Sequence, residues 1–157
     1  MEARIDWTTS PILQGVVKRL NALSAVIPQG TLPEGLQNLV LIRASQINGC
    51  SVCVDMHTKD AAKDGETPVR IALTAAWRDT DIFTDAERAA LELTEQATRI
   101  ADAAGGVSDE VWAAAAQHFD PDQLAALVTT IAAINAYNRF NVLLKNVGGS
   151  YVPGQWG

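Results

Sequence analysis

The sequence predicts an all-α fold of about seven helices. Three observations carry it. Helix-capping residues recur just before apolar stretches of helical period. Glycine follows several of those stretches. No run of alternating β-branched residues bounded by turn signals occurs anywhere. Ser10-Pro11 reads as an N-cap followed by proline at the first helical position, and the helix it opens ends before Pro28. Thr31 and Glu34 stand in capping-box spacing, with Pro33 inside the first turn, and predict a second helix to about Ile47. Asn48-Gly49 interrupts it, and a third runs from about Cys50 to Asp64, with Gly65 placed as its C-terminal cap. Thr67-Pro68 opens a short fourth helix toward Trp77. Thr84 and Glu87 form another capping box, and the helix they start is expected to reach Gly105-Gly106, with Ala86, Ala90, Leu93, Ala97, Ile100 and Ala104 on one face. Ser108 caps a helix through the alanines 113–116. Asp120-Pro121, with Gln123 three residues after the cap, begins a last helix to about Lys145. That helix is apolar nearly all round, which predicts burial on several sides, as a central helix or at a subunit interface.

A chain of 157 residues suits a single domain spanning 1–157, and no repeat, low-complexity linker or charge block divides it. With 48% hydrophobic and 19% charged residues it is globular in composition. A net charge of −6 without a basic run offers no footprint for nucleic acid or for an anionic membrane. The longest apolar stretch, Leu124 to Tyr137, is broken by Thr129, Thr130 and Asn135 and is too short and too polar to span a bilayer. Met1-Glu2-Ala3-Arg4 has no export-signal layout, so a cytoplasmic protein is expected.

Chemistry concentrates at the two cysteines. Cys50 and Cys53 are three residues apart and His57 is four further on, so on one helix all three share a narrow face. Residues at that spacing lie within disulfide reach, and a bridge closing so small a loop would stabilise the fold little. A helix N-terminus after Gly49 lowers thiol pKa, most for Cys50, and an imidazole of ordinary pKa near 6.5 suits proton exchange with a thiol. The pattern is that of a redox dithiol with a histidine base. Three ligands of a zinc site, or two buried hydrophobic cysteines with a structural histidine, are the alternatives; His118, expected at a helix C-terminus, would complete a zinc site only through the tertiary fold. Asp55 points away from this face and is expected in solvent. Trp77, Trp112 and Tyr137 are expected in the core or an interface, and Asn135 and Asn138 require partners if buried.

The stretch from Leu41 to His57, Leu-Ile-Arg-Ala-Ser-Gln-Ile-Asn-Gly-Cys-Ser-Val-Cys-Val-Asp-Met-His, resembles the core of the alkylhydroperoxidase D-like branch of the carboxymuconolactone decarboxylase family. The likeness continues through Thr58–Glu66, Ala75-Ala-Trp-Arg78, Thr84–Leu91 and Ile134-Asn-Ala-Tyr-Asn-Arg139. The resemblance implies an all-helical homo-oligomer (trimer or hexamer) that reduces hydroperoxides with thiols and without a cofactor. It implies that Cys53 attacks the peroxide, Cys50 resolves the sulfenic acid as a disulfide, and His57 relays protons. An external dithiol, with a lipoylated protein as the family precedent, would restore the thiols. Arg43 and Ser45 would line the approach to the site. Two positions depart from the family pattern. Asn38 stands where a relay glutamate is usual, twelve residues before Cys50, and Val52 replaces a histidine between the cysteines. Glu34, one turn before Asn38, is the candidate substitute. Weaker peroxidase activity is the consequence, so a redox-sensing or disulfide-exchange protein is the first alternative; a lactone decarboxylase and a zinc-binding interaction protein follow.

Overall fold

The computed structural model describes residues 2–33, 35–102 and 105–155, and among them the chain forms seven α-helices and two short 3-10 turns, with no strand. The helices are α1 (Pro11–Ser24), α2 (Leu36–Asn48), α3 (Ser51–Lys63), α4 (Pro68–Leu73), α5 (Asp85–Thr98), α6 (Asp109–Ala116) and α7 (Pro121–Leu144). The 3-10 turns are Trp7–Thr9 and Thr74–Asp79, the second continuing α4 past Trp77.

Most starts follow from local chemistry. Ser10, Thr67 and Ser108 each accept a backbone N–H of the first turn, and the boxes Thr84/Glu87 and Asp120/Gln123 are both closed reciprocally. Two boundaries depart from expectation. The second helix begins at Leu36, not near Thr31: the Thr31 hydroxyl donates to the Pro28 carbonyl in a turn, and Gly35, with a left-handed backbone, is the N-cap. Glu34 lies outside the described residues. The fifth helix ends at Thr98, short of Gly105, so Ile100 is exposed and Ala104 lies outside the described residues. Ala90 and Leu93 are buried as the period predicts.

The central element is α2, which packs on α3, α5 and α7 and buries Leu36, Leu39, Val40, Ile42, Ala44 and Ser45. Helix α7, apolar nearly all round, shares the middle of the bundle with it and is buried on several sides, as expected. Helix α7 meets α1, α2, α3, α5 and α6 yet leaves Val128, Val142 and Leu143 exposed. Gly49 joins α2 to α3 at φ 66°, a conformation costly for any residue with a Cβ, and this tight turn delivers Cys50 to the start of α3. Among the described residues no helix is long and apolar enough to cross a membrane.

Behind the core, Glu95 on α5 joins the layers. Its carboxylate pairs with Arg43 at 2.7 Å and Arg78 at 2.9 Å and accepts from the Trp77 indole at 2.9 Å. Burial raises its pKa, but these bonds outweigh burial and hold it below the usual range. Arg43 is thereby committed to the core, and Ser45, fully buried, donates to the Leu41 carbonyl. Neither lines the site approach that the resemblance implied for them.

Candidate active site

Cys50 is the N-cap of α3, just outside the helix, and its sulfur accepts the Cys53 N–H at 3.3 Å. The two sulfurs are 2.7 Å apart and both thiols are free and buried. The expected single helical face for Cys50, Cys53 and His57 therefore begins one residue late, with Cys50 capping the face. This geometry separates the thiols in acidity. The side-chain contact with Cys53 lowers the Cys50 pKa to about 7, against the opposing effect of burial. With Cys50 ionised, the same contact, burial and charge repulsion push the Cys53 thiol far up, so Cys50 is the thiol that ionises first.

Helix α7 supplies the other neighbours. Asn141 Nδ2 donates to Cys53 Sγ at 3.4 Å, and Asn138 favours the ionised form of both thiols. Asn138 is fully buried, donates to Ser45 and accepts from Asn48, which also donates to Asn135. Asn135 and Asn138 thus find partners, tying α7 to the end of α2 that carries the dithiol. Nothing in local sequence marks Asn141, which reaches the site across 88 residues of chain.

His57 is buried on α3, and its Nε2 has no hydrogen-bond partner among the described residues. Burial lowers its pKa to about 4. The near-neutral imidazole expected from sequence is thus corrected: at pH 7 this ring is neutral, able to accept a proton only in passing. Asn38 donates to Asp64 at 3.1 Å and lines, with Asp60 and Tyr151, a second cleft that shares Gln37, Leu41, Met56 and His57 with the dithiol cavity.

That cavity, about 570 Å³, lies between α1, α2, α3 and α7. Cys53 and His57 line it; Cys50 does not. Tyr137, expected in the core or an interface, lines it too and donates to Asn21 at 2.5 Å. Trp77 is buried as expected, whereas Trp112 is exposed. Asp55 is not free in solvent. It pairs with Lys59 at 2.6 Å and accepts the backbone N–H groups of Gly149 and Tyr151, pinning the C-terminal segment to α3. Gly148 in that segment passes so close to the first turn of α3 that a Cβ there would lie 2.3 Å from the Ser51 carbonyl oxygen. His118 is exposed beyond α6, and among the described residues no group of three or more His, Cys, Asp or Glu is arranged to hold a metal ion.

The profile of the carboxymuconolactone decarboxylase family matches residues 14–96. The uncharacterised protein YdfG of Bacillus subtilis is 40% identical over 122 residues, 78% of this chain and 82% of its own. The uncharacterised protein YnjA of Escherichia coli is 32% identical over 106 residues, 68% of this chain, which spans 57% of that relative's length. A crystal structure from Agrobacterium tumefaciens, of a protein of unknown function suggested to be the antioxidant defence protein AhpD, superimposes with a TM-score of 0.86 at 31% identity. The match covers 96% of this chain and 100% of that one.

Proposed function

Because the chain belongs to the carboxymuconolactone decarboxylase family, in its alkylhydroperoxidase D-like branch, we propose that it is a thiol-dependent peroxidase in which Cys53 attacks and Cys50 resolves. One observation carries the reading: a hydrogen-bonded pair of free thiols of which only Cys53 faces the cavity. Cys50 is the more acidic thiol, and its thiolate is the base within reach of Cys53; for Cys53 to attack, its proton crosses the 2.7 Å contact to Cys50 against that difference in acidity. The Asn141 and Asn138 amides then steady the new thiolate.

The Cys53 sulfur attacks the terminal peroxide oxygen, an S–O bond forms, the O–O bond breaks, and the leaving alkoxide takes a proton to become an alcohol. That proton is the one Cys53 gave to Cys50, relayed by His57, neutral and unpartnered at Nε2. One further proton from solvent completes the water expelled when the Cys50 thiolate closes the disulfide. The Cys50 sulfur next attacks the Cys53 sulfur and expels water, closing a disulfide. Two thiols and one hydroperoxide yield one disulfide, one alcohol and one water. An external dithiol restores the pair by exchange, a step that needs no cofactor. A single-domain, cytoplasmic homo-oligomer is part of the same proposal.

Trapping tests the assignment. Cys50→Ser treated with one equivalent of cumene hydroperoxide and dimedone should carry the adduct at Cys53; an adduct found only at Cys50, in Cys53→Ser, would reverse the roles. A disulfide-exchange protein is the second reading, favoured by the hydrogen bond of Asn38 to Asp64 and the low basicity of His57, which together leave proton delivery weak.

A further inference from the structure

The cavity beside Cys53 is far larger than hydrogen peroxide needs. A water molecule claims about 30 Å³ of liquid, so about 570 Å³ falls in the range of sites for sizeable organic molecules. One wall is α1, whose Leu13, Val16, Val17 and Leu20 face the cavity. No residue of α1 is buried, so this helix holds an apolar stripe without the close packing such a stripe normally finds. No Asp, Glu, Lys or Arg lines the cavity among the described residues. A charged ligand would leave water for a wall that offers no counter-charge.

Two buried polar atoms have no partner among the described residues, and their residues both line this cavity. They are His57 Nε2 and Thr130 Oγ1. The first is beside the dithiol. The second is on α7, eleven residues before Asn141, which bonds Cys53; that is roughly 16 Å along the helix at 1.5 Å per residue. A buried hydroxyl without a partner costs stability, and a ligand that bonds it recovers that cost. The cavity thus has a reactive polar end and a second unpartnered polar group well separated from it, with a mostly apolar lining that also carries Tyr137 and Asn21, bonded to each other.

We propose that this cavity binds a long, uncharged hydroperoxide of the lipid-ester type, its peroxide at Cys53 and His57 and an ester or hydroxyl group hydrogen-bonded to Thr130. The inference rests on the peroxidase reading for its chemistry but not for its binding. Thr130 is a specificity residue: its hydroxyl donates to an ester carbonyl, or pairs with a hydroxyl, remote from the bond that breaks. Helix α1 gains its missing apolar contacts from the bound chain.

The test uses redox-inert products, so binding is read apart from thiol chemistry. The hydroxylated ester obtained by reducing methyl linoleate hydroperoxide, its free acid, and cumyl alcohol are titrated into the reduced protein, with Trp7 at the cavity wall contributing the fluorescence signal. The ester should bind at least tenfold more tightly than the free acid. Thr130→Val should weaken the ester about three- to tenfold and leave cumyl alcohol unchanged, and Val16→Trp should abolish ester binding by filling the cavity. Equal or tighter binding of the acid, no binding of the ester, or a Thr130→Val affinity equal to the unmodified protein's would overturn the proposal. The ester–acid comparison uses the unmodified protein and so stands even if a variant fails to fold. Ester binding without thiol oxidation by the matching hydroperoxide would refute the peroxidase reading alone.

Discussion

The Asn141 amide donates to Cys53 Sγ at 3.4 Å and is itself held by Asn146, whose Nδ2 donates to Asn141 Oδ1 at 2.9 Å. A donor aimed at sulfur stabilises thiolate over thiol, and hydrogen bonds to charged groups are worth about 1.5–3 kcal/mol. In a Cys50→Ser background, Asn141→Ala should therefore raise the Cys53 pKa by about one unit. Iodoacetamide alkylation across pH measures it; an unchanged profile would remove Asn141 from the account.

Gly148 and Gly15 should respond oppositely to alanine. At Gly148 the new Cβ meets the Ser51 backbone at 2.3 Å, and the first turn of α3 has to shift. Overpacking of this kind costs about 1–3 kcal/mol, a fall of several degrees in Tm at this chain length. At Gly15, within α1, the nearest atom is the flexible end of Arg19 at 3.4 Å, and alanine should stabilise by about 0.5–1 kcal/mol. Thermal melts of the two variants decide this, and a Gly148→Ala melt at or above the unmodified protein's would contradict the contact.

The buried imidazole makes stability acid-sensitive. His57 has its folded pKa depressed to about 4 from 6.5, so below pH 6.5 the unfolded chain binds more protons than the folded one. Stability should fall as pH drops from 6.5 toward 4, by at most about 3 kcal/mol from this group. Urea melts at pH 7 and pH 4.5 should differ less for His57→Asn than for the unmodified protein. Equal differences would mean that His57 is not buried neutral.

Glu95 bonds Arg43, Arg78 and Trp77 at once. Glu95→Ala strands a largely buried guanidinium at Arg43 and should cost about 3–5 kcal/mol in a denaturant melt. Thiol reactivity of the molecules that remain folded should not change, since neither Glu95 nor Arg43 reaches the dithiol cavity.

What could be read in advance divides along physical lines. Caps are local chemistry, so Ser10, Thr67, Thr84, Ser108 and Asp120 announce their helices. Thr31 misleads because the turn on Pro28 and the left-handed Gly35 outcompete its cap, a choice set by how the chain enters the core. The Cys50–Cys53 pair is legible because three residues of separation fix their proximity in any helix start. The His57 pKa is not, because burial is a property of the whole bundle. Asn141 and Thr130 carry no local signal of a site: each is one polar residue on a mostly apolar helix until α1, α3 and α7 close a cavity around them.

The most direct test of the central claim is the rate of thiol loss when the fully reduced protein meets cumene hydroperoxide, with Cys53→Ser and Cys50→Ser alongside. Two thiols per chain should be lost, much faster than from free cysteine. Cys53→Ser should abolish the fast reaction, while Cys50→Ser keeps a single rapid oxidation at Cys53. Thiol loss no faster than free cysteine, or a fast phase that survives in Cys53→Ser, would contradict it.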